Sequence, residues 1–233
     1  MTKTSRLLSG GGVIIFGFVA GAVFKTNCYI VADAATGRCT IIDPGQDATD
    51  SVVQLINTHS LRPESVLLTH GHMDHSWDCV PLSDGLDIPL AVHSADRRFL
   101  TCPEDALPAS FPPGPLIGYR REEPRKVVTI ADGDTLRFGA LSVNVVGAPG
   151  HTPGSVMFHM SAPSPVLFTG DNLADGKPGL TVEPVGDAAA MRSSLRRILR
   201  PLPDETALLT GHGRPQSLGN CRRSAMGVVD CLE

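Results

Sequence analysis

Residues 65–77 read S-V-L-L-T-H-G-H-M-D-H-S-W, and this stretch decides the fold. The apolar run at 66–68 has the composition of a short buried strand. Residue types that bind metal ions follow it at once: His70, His72, Asp74 and His75. The pattern predicts a buried strand that brings metal ligands to one edge of a sheet.

Three further turns carry the same residue types after short apolar runs. His151 stands between two glycines and two prolines, a rigid setting that a merely structural histidine rarely needs. Asp171 and His212 each follow a Thr-Gly pair. Seven candidate ligands at four strand ends predict a two-metal hydrolytic site.

The spacing divides the first cluster between two ions. His70 and His72 are two residues apart, so both imidazoles can face one ion. Asp74 and His75 are adjacent and project in other directions, which suits a second ion, and the two oxygens of Asp171 can bridge two cations. Histidine and carboxylate without cysteine favour zinc, with iron or manganese as alternatives.

Other polar residues are less specific. Asp43 is either a turn-former or a hydrogen-bond acceptor that orients a ligating histidine, and its position in Asp-Pro-Gly fits both interpretations. His59, His93 and His159 stand alone, so we expect them to be solvated or locally hydrogen-bonded.

Composition narrows the class of protein. The 233 residues carry a net charge of −4 with a pI near 6.0, which disfavours a nucleic-acid partner and favours a small-molecule or carrier-bound substrate. Six cysteines without a C-x-x-C pair predict reduced thiols in a cytoplasmic protein.

The apolar run at 13–24 suits either a signal peptide or an edge hairpin of the mature domain. It is too short, and too interrupted by glycines, to cross a membrane. The oligomeric state has no sequence signal.

The chain alternates short apolar runs with helical patterns. Residues 1–11 predict a loose arm, and residues 103–125 a long proline-rich loop. Helices are predicted at 50–58, 76–82, 94–101 and 187–199, and Ser94 is the expected cap of the third. Strands are predicted at 13–16, 28–31, 39–42, 66–68, 89–92, 127–130, 135–138, 141–146, 155–159, 165–168 and 206–209. The architecture implied is two packed sheets with helices outside.

Four motifs together resemble the metallo-β-lactamase superfamily, and within it the glyoxalase II-like hydrolases. They are T-H-G-H-M-D-H at 69–75, G-H-T-P-G-S at 150–155, T-G-D at 169–171 and G-H-G at 211–213. The resemblance implies one α+β domain over residues 1–233, an αββα sandwich of two mixed sheets with metals at one edge. It implies that His70, His72 and His151 hold the first metal, Asp74, His75 and His212 the second, and that Asp171 bridges them.

The chain departs from its relatives where substrates bind. It carries Asp171 where the best-known β-lactamases of the family have cysteine, and few residues follow His212, so the full helical segment that grips glutathione in glyoxalase II is not expected. We expect the loop at 103–125 to supply a substrate wall through Phe111 and Tyr119, with Asn172 as a further candidate.

The resemblance implies hydrolysis of a thioester or related ester by a metal-bridging hydroxide, with Asp74 orienting the nucleophile. A thiolate leaves with little help from a general acid, which favours thioesters over amides. The alternatives are a lactonase or a biosynthetic thioesterase-cyclase on the same fold, a mononuclear-iron persulfide dioxygenase, and a metal-binding protein without turnover.

Overall fold

The first β-sheet contains the strand that delivers the histidine cluster. The computed structural model describes residues 4–161 and 164–223. In the first sheet the strands are β1 (Ser5–Gly10), β2 (Val13–Ala20), β3 (Thr26–Asp33), β4 (Arg38–Ile42), β5 (Arg62–Leu67), β6 (Leu90–His93) and β7 (Val127–Ile130). They lie side by side in chain order, antiparallel from β1 to β4 and parallel from β4 to β7.

The second sheet is also mixed. The remaining strands are β8 (Thr135–Phe138), β9 (Leu141–Gly147), β10 (Val156–Met160), β11 (Val166–Gly170), β12 (Leu173–Ala174), β13 (Lys177–Pro178), β14 (Ala207–Thr210) and β15 (Gln216–Ser217). The order in the sheet is β15-β14-β11-β10-β9-β8, and β12 pairs with β13 in a separate hairpin. Only the β11–β14 pair of this sheet is parallel among the described residues.

Helices cover the outer face of each sheet. They are α1 (Ala48–His59) and α3 (Cys79–Gly85) on the first sheet and α4 (Ala188–Leu199) and α5 (Leu218–Arg223) on the second, whereas the short α2 (Met73–Ser76) carries Asp74 and His75. One buried cluster joins α1 and α3 to the first sheet, and another joins α4 and α5 to the second. The fold is therefore the αββα sandwich of the α+β class that the resemblance implied.

The core between the sheets comes from side-chain alternation along the strands. Tyr29 and Val31 of β3 point into the space between the sheets, whereas Ile30 points to the helical side. The ring of Tyr29 meets that of Phe168 on β11 edge-on, with 5.4 Å between centroids. Because both faces of β3 are covered, the whole strand is buried.

Backbone hydrogen bonds join the two sheets at one edge. Val156 N donates to Thr69 O at 2.8 Å and Asn27 N donates to Gly211 O at 2.7 Å, while within the second sheet Gly211 N donates to Gly170 O at 2.9 Å. The segments that follow β5, β9, β11 and β14 therefore meet at this edge. These four segments carry the candidate ligands predicted from the sequence.

The prediction of a loose arm at residues 1–11 is wrong for the residues that form β1. This strand pairs with β2 through a turn at Gly11 and Gly12, whose φ values are 58° and 87°. Two consecutive residues with positive φ are typical of a tight hairpin turn. Leu8 packs against the core between the sheets. This apolar contact stabilises β1, although the composition of residues 1–11 is polar and rich in glycine.

Helical segments differ from the predictions around the site. The helix expected at 94–101 is only a 3₁₀ turn, Arg97–Leu100, and it starts after Asp96 rather than at a Ser94 cap. The helix expected at 76–82 is two short helices, α2 and α3. The loop at 103–125 contains two 3₁₀ turns, Pro103–Ala106 and Gly114–Leu116.

Other elements match or add to the predictions. The helix predicted at 187–199 is confirmed as α4, and the side chain of Asp187 caps it by accepting from the backbone N–H groups of Ala189 and Ala190. The sequence did not predict the hairpin of β12 and β13, the strand β15 or the helix α5. The apolar run at 13–24 forms β2 and the loop after it. Within the described ranges, no helix has the length and apolarity needed to span a bilayer.

Candidate metal centre

The seven side chains predicted as ligands lie together at the shared edge of the two sheets. Their ligand atoms form three groups in which every atom lies within 4.8 Å of the others. The groups are His70, His72 and His151; Asp74, His75 and His212; and His70, His75 and Asp171. The third group shares members with the other two, so the arrangement is one continuous cluster.

The first group is a convergence of three imidazole nitrogens. Nδ1 of His72 lies 3.1 Å from Nε2 of His70 and 2.8 Å from Nε2 of His151. Burial, reinforced by the neighbouring histidines, lowers the pKa of His70 well below its ordinary value and that of His72 to about 4. Both rings are therefore neutral at pH 7, the form in which imidazole binds a metal.

The second group combines a carboxylate with two histidines. Oδ2 of Asp74 lies 3.1 Å from Nε2 of His212 and 3.7 Å from Nε2 of His75. Burial opposes the charge on Asp74, but His75 and His212 outweigh it and lower the pKa to about 2. Burial likewise opposes a charge on His212, and hydrogen bonds to Asp171 and Asp74 raise its pKa to about 10. The carboxylates of Asp74 and Asp171 therefore favour the protonated form of His212.

Asp171 lies between the two groups. Its Oδ2 is 3.7 Å from Nε2 of His151 and 3.4 Å from Nε2 of His212. Its Oδ1 is 3.2 Å from Nε2 of His75. Burial opposes its charge, but the neighbouring histidines, His75 first, hold its pKa well below the ordinary range. One ionised carboxylate therefore faces histidines of both groups.

Two buried atoms of the cluster lack hydrogen-bond partners among the described residues. They are Nε2 of His75 and Oδ1 of Asp171. A buried polar atom without a partner costs about 1–3 kcal/mol. A cation held between these atoms would satisfy both, so the donor set fits a metal centre in its chemistry and in its burial.

Each of the five histidines is oriented by a contact at its second ring nitrogen. The contacts are His70 Nδ1 with Thr69 Oγ1 at 3.1 Å, His72 Nε2 with Ala106 O at 3.2 Å, His75 Nδ1 with Asp43 Oδ2 at 3.0 Å, His151 Nδ1 with Leu180 O at 2.7 Å and His212 Nδ1 with Lys25 O at 3.3 Å. Where the partner is a carbonyl or carboxylate oxygen, the facing nitrogen donates, which leaves the inward nitrogen free to bind a metal.

Asp43 is the acceptor that one of the two sequence interpretations described. Its carboxylate accepts from Thr69 N at 2.8 Å, from Thr69 Oγ1 at 2.7 Å and from His75 Nδ1 at 3.0 Å. The residue also sits at a turn, with φ of 50°. Asp43 therefore fixes both ends of the segment that carries the first four ligands.

Asp96 has a similar part that the sequence did not suggest. Its Oδ2 accepts from Gly71 N at 2.9 Å and from Thr152 Oγ1 at 2.6 Å, and its Oδ1 accepts from Gly154 N at 2.7 Å. Asp96 thus ties the segment of His70 and His72 to the segment of His151. The available signal was an acidic residue just after β6, the parallel neighbour of β5.

Gly211 stands where the ligand-bearing turns are closest. A Cβ at this position would lie 2.6 Å from Cε1 of His75 and nearer still to Oδ1 of Asp171. The glycine before His212 is thus required by the approach of Asp171 and His75.

The substrate candidates fall in different places. Phe111 lines a cavity beside His72 and His151. Tyr119 does not line it, because its buried ring packs on Trp77. Asn172 differs from the prediction, since it is buried and donates through Nδ2 to Ala148 O at 2.5 Å.

The three solitary histidines stay outside the metal-binding groups of the described chain. His59 stacks on the ring of Phe16, with 4.5 Å between centroids. Nδ1 of His93 accepts from Ala95 N at 3.2 Å. His159 lies on β10, and its buried Nε2 has no hydrogen-bond partner among the described residues, so the expectation of a solvated or locally hydrogen-bonded ring is wrong for this nitrogen. The five cysteines of the described residues are free thiols, and Cys231 lies outside that range.

Comparison with known proteins agrees with this geometry. An uncharacterized protein of Mycobacterium leprae is 38% identical over 217 residues, covering 91% of this chain and 96% of the relative. The hydroxyacylglutathione hydrolase GloC of Haemophilus influenzae is 31% identical, covering 86% and 92%. The crystal structure of TTHA1623 in a di-iron-bound form superimposes with a TM-score of 0.73 at 31% identity, covering 88% and 96%.

The family model described as "Metallo-beta-lactamase superfamily" matches residues 21–212. That range includes all seven candidate ligands and the strands from β3 to β14. The chain therefore belongs to the metallo-β-lactamase superfamily, whose members are metal-dependent hydrolases.

Proposed function

We propose that this protein is a thioesterase that works with two divalent metal ions, zinc in the first place and iron or manganese as alternatives. The observation that carries the proposal is the position of Asp171, whose Oδ2 lies 3.7 Å from Nε2 of His151 and 3.4 Å from Nε2 of His212. A carboxylate shared by two histidine groups suits a pair of ions better than a single ion.

In this proposal His70, His72 and His151 hold one ion, and Asp74, His75 and His212 hold the other. Asp171 contributes to both. When bound, the two ions supply a hydroxide nucleophile at neutral pH and stabilise the negative charge that develops on the carbonyl oxygen.

Asp74 has a second task in this proposal. Its contacts with Thr26, His75 and His212 all use Oδ2. Oδ1 is left to accept a hydrogen bond from the attacking water and so to orient it. With a pKa of about 2 the carboxylate is ionised throughout the neutral range, so it accepts this hydrogen bond at any physiological pH.

The choice of a thioester rests on leaving-group chemistry and on similarity. A thiol of pKa near 8.5 departs as thiolate without a general acid. The similarity to a hydroxyacylglutathione hydrolase supports the same class of bond. The substrate is proposed to be a small-molecule or carrier-bound thioester, and the similarity to a di-iron protein keeps iron among the candidate metals.

The proposal is tested by replacing the shared carboxylate. Asp171→Asn should lower thioester turnover by about 100-fold or more, because a misplaced metal pair loses alignment with the carbonyl. Asp175→Asn is the matched control, since Asp175 lies in the β12–β13 turn and accepts only from Arg214 N among the described groups. Thioesterase activity that survives both the Asp171 change and full chelation would refute the proposal.

A further inference from the structure

A cavity beside the first histidine group is the strongest feature that the proposed function does not explain. Its volume is about 280 Å³, and His72 and His151 form part of its wall. The remaining wall comes from the proline-rich loop and from the segment before α4, through Ala106, Leu107, Pro108, Phe111, Leu180 and Val182. The cavity therefore begins at the candidate metal centre and extends between two loops.

The wall of this cavity is apolar. Besides the two histidines, the described residues that line it are alanine, leucine, proline, phenylalanine and valine, without a charged side chain. Leu180 and Val182 are large apolar side chains that are 75% and 46% exposed. Exposed apolar side chains that rim a pocket mark a surface that binds an apolar group.

Three arginines of residues 97–121 do not line the cavity and are paired with acidic side chains. Arg97 Nη2 lies 2.6 Å from Glu123 Oε2, and Arg98 Nη2 lies 2.8 Å from Asp105 Oδ2. Arg121 pairs with Glu104. A charged group such as the carboxylates of glutathione would lose its hydration in this cavity without gaining a partner there.

The cavity wall is held in register with the metal centre. The carbonyl of Ala106 accepts from Nε2 of His72, and the carbonyl of Leu180 accepts from Nδ1 of His151. Both carbonyls belong to residues that line the cavity. An acyl chain bound in the cavity would therefore have one end next to His72 and His151.

We propose that the cavity binds the apolar acyl chain of the substrate, a chain of about six to nine carbons. This inference rests on the proposed thioesterase function. The length follows from volume, because about 280 Å³ holds roughly nine groups the size of a water at about 30 Å³ each. A thiol borne by glutathione or a carrier is polar and larger, so it lies outside the cavity, towards solvent.

The first test compares thioesters that carry the same number of carbons on different sides. S-ethyl hexanethioate and S-hexyl ethanethioate are isomers, and S-ethyl ethanethioate is the short reference. We expect kcat/KM for S-ethyl hexanethioate to exceed that of both others by at least about tenfold, since each buried methylene contributes about fourfold. A preference for S-hexyl ethanethioate, or no dependence on acyl length, would overturn the inference and leave the thioesterase function standing.

Variants locate the preference in the cavity. Phe111→Ala and Val182→Asp should each lower the ratio of hexanethioate to ethanethioate turnover by about tenfold, because they remove apolar wall or add a charge to it. Ile117→Asp is the matched control, since Ile117 is 81% exposed and does not line the cavity. An unchanged ratio in both cavity variants would overturn the assignment.

A binding measurement separates the inference from the proposed activity. Calorimetric titration of the metal-loaded protein with hexanoate and with acetate compares two carboxylates that differ only in chain length. Hexanoate should bind at least about tenfold more tightly, and Val182→Asp should abolish the difference. Equal binding of the two acids would overturn the inference. Failure of every thioester to react, with hexanoate still preferred, would instead overturn the thioesterase function.

Discussion

Oδ2 of Asp43 lies 3.0 Å from Nδ1 of His75, and the same carboxylate accepts from both the backbone N–H and the hydroxyl of Thr69. The turn after β4 thus holds the segment from Thr69 to His75 at its two ends. The position of the first four candidate ligands therefore depends on a residue that belongs to none of the three ligand groups.

Asp43→Asn should weaken metal binding by about 10–100-fold, because a partner of a metal-bound histidine sets its orientation and basicity. The amide cannot accept from all three donors. Competition with a chromophoric chelator measures the affinity. Asp47→Asn is the matched control, since Asp47 also has positive φ, 60° against 50°, and caps α1 without a side-chain hydrogen bond. Equal affinity in the two variants would contradict this part of the account.

Asp96→Asn should lower the free energy of unfolding by about 2–3 kcal/mol, since three donors converge on a buried carboxylate and an amide leaves at least one unpaired. Urea unfolding monitored by circular dichroism measures the change. Asp105→Asn removes only an exposed ion pair with Arg98 and should cost below about 1 kcal/mol. Similar losses for the two variants would argue against a positioning role for Asp96.

Gly211→Ala should displace Asp171 or His75, because the new Cβ collides with both. Displacement of a bridging carboxylate by about 1 Å is expected to lower turnover about 100-fold. Metal content and thioester hydrolysis should fall together. Gly85→Ala is the control, since a Cβ there meets no atom within 4 Å. Full activity of Gly211→Ala would show that the turns are less tightly packed than described.

Asp33 couples the two sheets and should make stability depend on pH. Its carboxylate accepts from Ala140 N at 2.8 Å, from Ala35 N at 2.9 Å and from Thr36 Oγ1 at 2.9 Å. Hydrogen bonds from the backbone of Ala140 and Ala35 lower the pKa of this carboxyl. The folded state therefore holds the proton less tightly than the unfolded chain.

Because the pKa of Asp33 is lowered on folding, its stabilisation is present above the unfolded value of about 3.9 and is lost as the pH falls through the folded value. Asp33→Asn should reduce stability at pH 7 and flatten the loss of stability below about pH 4. Asp134→Asn removes one exposed turn hydrogen bond and should keep the slope of the native protein. Urea midpoints at pH 7 and pH 3.5 compare the three proteins.

The ligand cluster could be predicted because its signal is local. His70, His72, Asp74 and His75 follow one apolar run, and the turns of His151 and His212 carry glycines that mark strand ends. Metal-binding residue types at several strand ends converge wherever those ends share a sheet edge. The structure brings all seven together on that basis.

The remainder of the site depends on contacts between distant segments. Asp96 joins two ligand segments only because the fold brings the backbone N–H groups of Gly71 and Gly154 to its carboxylate. The strand β1 could not be predicted because Leu8 packs against the core between the two sheets, which is formed by residues distant from it in the sequence. The position of Asn172 beside Asp171 suggests a contact with substrate, whereas its side chain is buried and donates to Ala148 O.

Metal titration of the chelated protein, followed by thioester hydrolysis at each step, tests the central claim most directly. We expect no turnover without metal and a rise to a plateau at about two equivalents of divalent ion, because two histidine groups share Asp171. Asp171→Asn should lose this plateau. Full activity without metal, or at a single equivalent, would contradict the account.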